Sequence, residues 1–270
     1  MKIGFIGGGN MAAALISGLA GRITPGQNIH VVDLNAAALS QLHQQFGVST
    51  ASAPDAALSQ CEVIVLAVKP QQMHAVAAAL APFIEQQLVI SIAAGIRSVD
   101  LSRWLGGHTA IVRAMPNTPA LIGKGVSGVF AAADVTQAQR AAAEAILRAV
   151  GSTVWLDDEN QIDAVTAVSG SGPAYVFYFL EAMQEAAVKL GLSAAQGMEL
   201  AKATFAGATE LALRSPEEVS VLRDRVTSKG GTTYAALTSL ASAEVGQRIG
   251  EAMRAAAARA KEMGEEFGKD

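Results

Sequence analysis

Seven short apolar runs, at 2–6, 29–32, 63–67, 88–92, 110–114, 128–131 and 153–156, alternate with Ala- and Leu-rich helical segments such as 35–46 and 71–80. Strands that alternate with helices point to a parallel sheet, because each parallel pair needs a crossover and the crossover helices then cover the sheet faces. Several of the runs are apolar without alternation, so they are predicted to be buried on both faces. After Trp155-Leu156 the acidic turn Asp157-Asp158-Glu159-Asn160 closes the β signals, and only helical patterns follow. The chain therefore reads as an α/β domain over residues 1–158 and an all-α domain over 159–270. Aromatic residues make up 5% of a chain that is 51% hydrophobic, and such small side chains let helices approach one another and the sheet closely.

The helical half is well punctuated. Pro173 stands at a first helical position after Ser171-Gly172, and Gly191 is a stop. Ser193 with Gln196, and Ser215 with Glu218, have capping-box spacing. Tyr175, Val176, Phe177, Tyr178, Phe179 and Leu180 follow one another, so the helix carrying them is apolar all round at its start. About 110 residues of helix offer little to enclose it, and a second subunit is the expected cover.

Composition excludes several classes of function. A net charge of −4 without a Lys/Arg cluster gives a polyanion nothing to bind, so no nucleic-acid partner is expected. Cys61 is the single cysteine, and His30, His43, His74 and His108 lack zinc-site spacing, so neither a disulfide nor a metal is expected and a reducing compartment fits. Residues 1–21 carry only Lys2 as a charge and superficially imitate a secretory signal, but three consecutive glycines and Asn10 interrupt the apolar stretch. The charge-free stretch 164–180 falls short of the ~20 residues of a membrane span and holds Gly170, Gly172 and Pro173 in its middle. A soluble, cytoplasmic protein is predicted, with no membrane partner.

Gly7-Gly8-Gly9-Asn10-Met11-Ala12 directly follows the first strand and opens a helix, matching G-x-G-x-x-A. The first glycine permits the tight turn, Gly9 lets a pyrophosphate approach the backbone, and Ala12 allows close packing of helix on strand. Free N–H groups and the helix dipole then favour the phosphates. Asp33 ends the second strand, where a carboxylate accepts hydrogen bonds from ribose hydroxyls; an ordinary strand-ending aspartate in a turn is the competing reading. No cation follows in Leu34-Asn35-Ala36-Ala37 to offset a 2′-phosphate. Ala67-Val68-Lys69-Pro70 and the rigid loop Met115-Pro116-Asn117-Thr118-Pro119 both leave strand ends on the expected ligand side. In the helical half, Thr227-Ser228-Lys229-Gly230-Gly231-Thr232-Thr233 reads equally as a small-anion cradle and as a flexible glycine linker.

Taken together, these motifs resemble the pyrroline-5-carboxylate reductases, with Ala93-Ala94-Gly95 and Ser169-Gly170-Ser171-Gly172-Pro173-Ala174-Tyr175 adding to the match over nearly the whole chain. The resemblance implies a Rossmann domain followed by a helical dimerisation domain, a homodimer often assembled into a pentamer of dimers, and reduction of a cyclic imine carboxylate to L-proline with NADPH or NADH. By position it implies cofactor contacts from Asn10, Met11, Ala67, Val68, Lys69 and Ala94, which join Gly7, Gly9 and Asp33 from the motifs above and the adjacent Asn35 and Pro70 as the expected cofactor-binding residues. It likewise implies substrate contacts from Glu159, Ser228, Gly230, Gly231, Thr232 and Thr233, with Thr233 as the catalytic candidate. Two positions depart from the pattern. Lys229 stands where many members have proline, and Asp33 stands where members that prefer NADPH place a small hydroxyl or basic residue. The alternatives are a β-hydroxyacid dehydrogenase-like enzyme, which would need a lysine on the helix after the domain junction, and a non-catalytic dinucleotide-binding protein. The first lysine on that helix is Lys189, at its far end.

Overall fold

A computed structural model describes residues 1–269. Strands β1 (Ile3–Ile6), β2 (Ile29–Val32), β3 (Ser49–Ala51), β4 (Val63–Leu66), β5 (Leu88–Ser91), β6 (Ile111–Met115), β7 (Gly125–Ala131) and β8 (Gly151–Trp155) form one sheet in the order β3-β2-β1-β4-β5-β6-β7-β8. Helices α1 (Asn10–Leu19), α2 (Ala36–Phe46), α3 (Met73–Leu80), α4 (Ser98–Trp104) and α5 (Gln137–Arg148) accompany it. The strands β1, β2, β4 and β5 are buried along their whole length, as their unbroken apolar runs predict. Their side chains divide between two apolar clusters. Phe5, Val63 and Val65 pack with Leu15 and Ile16 of α1, whereas Ile6, Ile64 and Leu66 pack with Met73 and Leu80 of α3.

Three features of the sheet differ from the sequence expectation. The short strand β3 is unannounced, because Ser49-Thr50-Ala51 is an exposed edge with no apolar run to mark it. The seventh strand begins three residues earlier than expected, at Gly125. It also pairs antiparallel with β6, while all other neighbours are parallel. Only residues 116–124 join β6 to β7, too few for the crossover of about a dozen residues that a parallel return needs.

The remaining helices are α6 (Gln161–Val165), α7 (Gly172–Lys189), α8 (Ala194–Arg214), α9 (Val219–Arg225), α10 (Thr232–Ser242) and α11 (Val245–Phe267). A π-helical turn at Thr166–Gly170 follows α6. Packing groups the chain into two compact units, one of residues 1–171 with 255 onward, the other Gly172–Arg254. The acidic turn at 157–160 thus lies within the first unit, and the last part of α11 is grouped there too. In the second unit α7 and α8 form an antiparallel pair around Gly191, whose φ of +96° suits the stop. Ser193 and Gln196 close a reciprocal capping box at the start of α8. The second expected box does not form. Helix α8 runs on to Arg214 and makes Ser215 its C-cap, the Ser215 hydroxyl accepts from Glu217 N, and Glu218 is the N-cap of α9 without a side-chain bond. No residue of α7 is buried within the chain; Phe177 is 60% exposed and Tyr178 70%.

Candidate active site

The strand order turns back between β1 and β4, and the carboxyl ends beside that switch point are where open α/β sheets bind ligands. Most of the expected cofactor residues converge on this edge. At Gly7 φ is +100°, and a Cβ there would lie 2.6 Å from the Ala67 carbonyl oxygen, so the turn closes tightly against the end of β4 only with glycine. The N-terminus of α1 carries Gly9 as N-cap, with no side-chain cap and no acidic residue in its first turn. A Cβ on Gly9 would meet nothing within 4 Å, and Gly9 and Asn10 are exposed, so the space above these amides is open. An uncapped helix start with open space before it fits the pyrophosphate of a dinucleotide.

Beside it lies a cleft of about 290 Å³ lined by Gly7, Val32, Asp33, Leu34, Ser52 and Val68. Asp33 does two jobs at its rim. One carboxylate oxygen accepts from Gly8 N at 2.6 Å and the other from Asn35 N at 2.7 Å, so the residue ties the glycine turn to the loop after β2. Asn35 is the N-cap of α2, its side-chain oxygen accepting from Ala37 N and Ala38 N. Ala67 and Val68 are half-buried after β4, Lys69 is exposed, and Pro70 opens a short 3₁₀ turn that leads into α3. Ala94 sits half-buried in the loop after β5, at the same edge. Among the described residues no group of three His, Cys, Asp or Glu could hold a metal ion.

Glu159 lies in a network that sequence reasoning did not anticipate. Its carboxylate accepts from Ser98 N at 2.6 Å, from the Ser98 hydroxyl at 2.7 Å and from the Arg113 guanidinium at 2.7 Å. Burial by itself would raise the Glu159 pKa, but these bonds outweigh it and hold the carboxyl below its ordinary range. Arg113 is 3% exposed and also draws on this carboxylate, because burial pulls the guanidinium pKa down and Glu159 opposes that pull. The signal was present in the sequence: an arginine inside an apolar strand demands a buried acidic partner. Asn117 is similarly engaged, donating to the Ser169 carbonyl and accepting from Val126 N, so the proline-flanked loop is tied to β7 and to the π turn.

The second cluster lies in the other unit, at the start of α10. Gly230 has φ of +75°, and Gly231 N donates to the Ser228 carbonyl, so residues 228–231 form a turn rather than a flexible linker. Gly231 is the N-cap of α10, without a side-chain cap. Thr233 therefore does not cap its own helix. Thr233 is half-buried in the first turn, while Ser228, Lys229, Gly230 and Thr232 are exposed. Uncapped amides and neighbouring hydroxyls make this end of α10 suited to a small carboxylate.

A family model described as pyrroline-5-carboxylate reductase dimerisation matches residues 159–263, and one described as NADP oxidoreductase, coenzyme F420-dependent, matches residues 2–95. The chain is 46% identical to a pyrroline-5-carboxylate reductase of Pseudomonas aeruginosa over 99% of its length and 98% of that protein's. The chain belongs to the pyrroline-5-carboxylate reductase family. Solved members match nearly the whole chain. The Coxiella burnetii reductase gives a TM-score of 0.91 at 40% identity, covering 97% of this chain and 98% of its own. The Plasmodium falciparum enzyme, solved with NADP bound, gives 0.86 at 31% identity and covers 98% of each chain. Pyrroline-5-carboxylate reductases are NAD(P)H-dependent oxidoreductases, and the uncapped start of α1 suits that cofactor class. The dimerisation match also accounts for the apolar face of α7, which marks the chain as a homo-oligomer. Among the described residues no helix is long and apolar enough to cross a membrane.

Proposed function

We propose that this chain reduces 1-pyrroline-5-carboxylate to L-proline with NADH or NADPH, the last step of proline biosynthesis, as a cytoplasmic homodimer assembled into a pentamer of dimers. The observation that carries the substrate reading is the uncapped N-terminus of α10, preceded by the Ser228–Gly231 turn and followed by the Thr233 hydroxyl. When bound, the reduced dinucleotide supplies a hydride for the imine carbon. The chain's own residues bind and orient. The amides of Thr232 and Thr233, in the uncapped first turn behind the Gly230-Gly231 bend, hold the substrate carboxylate, and Ser228 and Thr232 add hydroxyls at its rim. Thr233 hydrogen-bonds the ring nitrogen, the atom whose charge changes as the iminium is reduced to an amine.

No histidine or cysteine lies in residues 227–233, so catalysis rests chiefly on positioning, and the proton on nitrogen comes from solvent or by way of Thr233. Gly7, Gly9, Asn10, Met11 and the loops at Ala67–Pro70 and Ala94 take the dinucleotide, with Asp33 and Asn35 shaping its adenosine end. Glu159, the remaining expected substrate residue, acts as a support, since its carboxylate is already engaged by Ser98 and Arg113. Helix α7 offers no lysine before Lys189, which favours imine reduction over alcohol oxidation. The test is steady-state turnover of pyrroline-5-carboxylate with NADH and with NADPH, with L-proline identified by mass. Oxidation of a hydroxy acid without imine turnover would overturn the reading.

A further inference from the structure

After β5 the chain turns through Ala93, Ala94 and Gly95, and the last turns of α11 hold this turn in place. Gly95 has φ of +77°, and a Cβ built there would lie 3.1 Å from Met263 Cβ and 3.2 Å from Gly264 N. The fit is reciprocal, since a Cβ on Gly264 would lie 2.9 Å from the Gly95 carbonyl oxygen. Backbone meets backbone, so a side chain on either glycine forces α11 and the turn apart. Phe267 packs into the apolar cluster that contains Ala93, Ile96 and Leu101. Arg103 of α4 donates to the Gly268 carbonyl at 2.8 Å. The segment after the turn is fixed as well, for Arg97 donates to Asn160 and Ser98 N to Glu159. An ordinary surface helix end needs none of this; α11 ends in an interlock with one particular loop.

We infer that the end of α11 together with Gly268 after it, residues 263–268, is a positioning element of the dinucleotide site, setting where Ala94 meets the bound cofactor. The inference rests on the reading of Ala94 as a dinucleotide contact. It makes an unusual demand on Gly264, which lies inside a helix where alanine is intrinsically favoured over glycine. On helix propensity alone Gly264→Ala is stabilising, so any loss it causes reports the contact with Gly95.

The experiment uses the full chain in its native oligomer and compares Gly264→Ala, Phe267→Ala and Phe267→Leu. Direct titration with NADH and NADPH gives Kd, hydrogen exchange reports the amides of residues 93–97, and kinetics give KM for each substrate. Gly264→Ala and Phe267→Ala are expected to raise the dinucleotide Kd about 5- to 20-fold, the loss of roughly one to two kcal/mol of binding. Both should speed exchange at 93–97 and leave KM for the imine within about twofold, while Phe267→Leu restores Kd. An unchanged Kd in folded Gly264→Ala and Phe267→Ala, even with a lowered Tm, overturns the inference. A wild-type protein that binds dinucleotide yet does not reduce the imine overturns the proposed activity, and the Kd comparison still decides this point.

Discussion

Replacing Glu159 by alanine separates a supporting role from contact with substrate. The substitution removes three hydrogen bonds, from Ser98 N, the Ser98 hydroxyl and Arg113, and leaves a guanidinium that is 3% exposed without its partner. Breaking one side of a buried pair costs about 3–5 kcal/mol, mostly the desolvation of the charge left behind. At about 2 °C per kcal/mol for a chain of this size, Tm should fall by roughly 6–10 °C. The pH dependence has a definite sign. The folded pKa of Glu159 is depressed, so its contribution is present above the unfolded value of about 4.3 and is lost as pH falls through the folded pKa. In Glu159→Ala the loss of stability relative to wild type should therefore shrink on acidification through that range. Replacing both partners, as Arg113→Met with Glu159→Leu, should recover stability to within about 2 kcal/mol of wild type, because neither member of the pair is left buried without the other. Thermal unfolding from pH 3 to 8, with kinetics at a temperature where both proteins are folded, reads these outcomes. A Tm within 2 °C of wild type together with a tenfold higher KM for the imine would refute the reasoning and place Glu159 on the substrate.

Thr233→Ala should lose roughly 1.5–3 kcal/mol of transition-state stabilisation, about 10- to 150-fold in kcat/KM, with NADH affinity almost unchanged and Thr233→Ser largely active. Unchanged kcat/KM would deny the hydroxyl a part in the reaction. Because the Asp33 carboxylate repels a 2′-phosphate, wild-type kcat/KM for NADH should at least equal that for NADPH, and Asp33→Ser should move the ratio toward NADPH by about tenfold, near 1.4 kcal/mol. The same substitution removes an acceptor from Gly8 N, so NADH affinity should fall as well; a wild-type preference for NADPH of tenfold or more contradicts the account. Phe177→Asp with Tyr178→Asp places charge on the exposed apolar face of α7 and should yield smaller, inactive species by sedimentation, whereas a folded, active monomer at micromolar concentration would refute the need for a partner.

Local chemistry made much of this protein legible. The apolar runs announced β1, β2, β4 and β5 because a strand buried on both faces has no polar positions to dilute the signal. The glycine turn before α1 was legible because each glycine answers a local demand, and the Ser193 box because its partners lie three residues apart. The Ser215 box failed on the same local evidence, since a serine before a helix and a serine after one look alike until the helices are counted. What the tertiary structure alone decided is non-local. The direction of β7 follows from the length of its connection and the neighbour it must pair with. Asp33 reaches back 25 residues to Gly8, Glu159 reaches 46 to Arg113, and Gly264 meets Gly95 backbone to backbone. Sequence spacing determines which residues share an element, because backbone periodicity is local. Which carboxylate meets which guanidinium, and which glycine leaves room for another, is settled only when the elements pack.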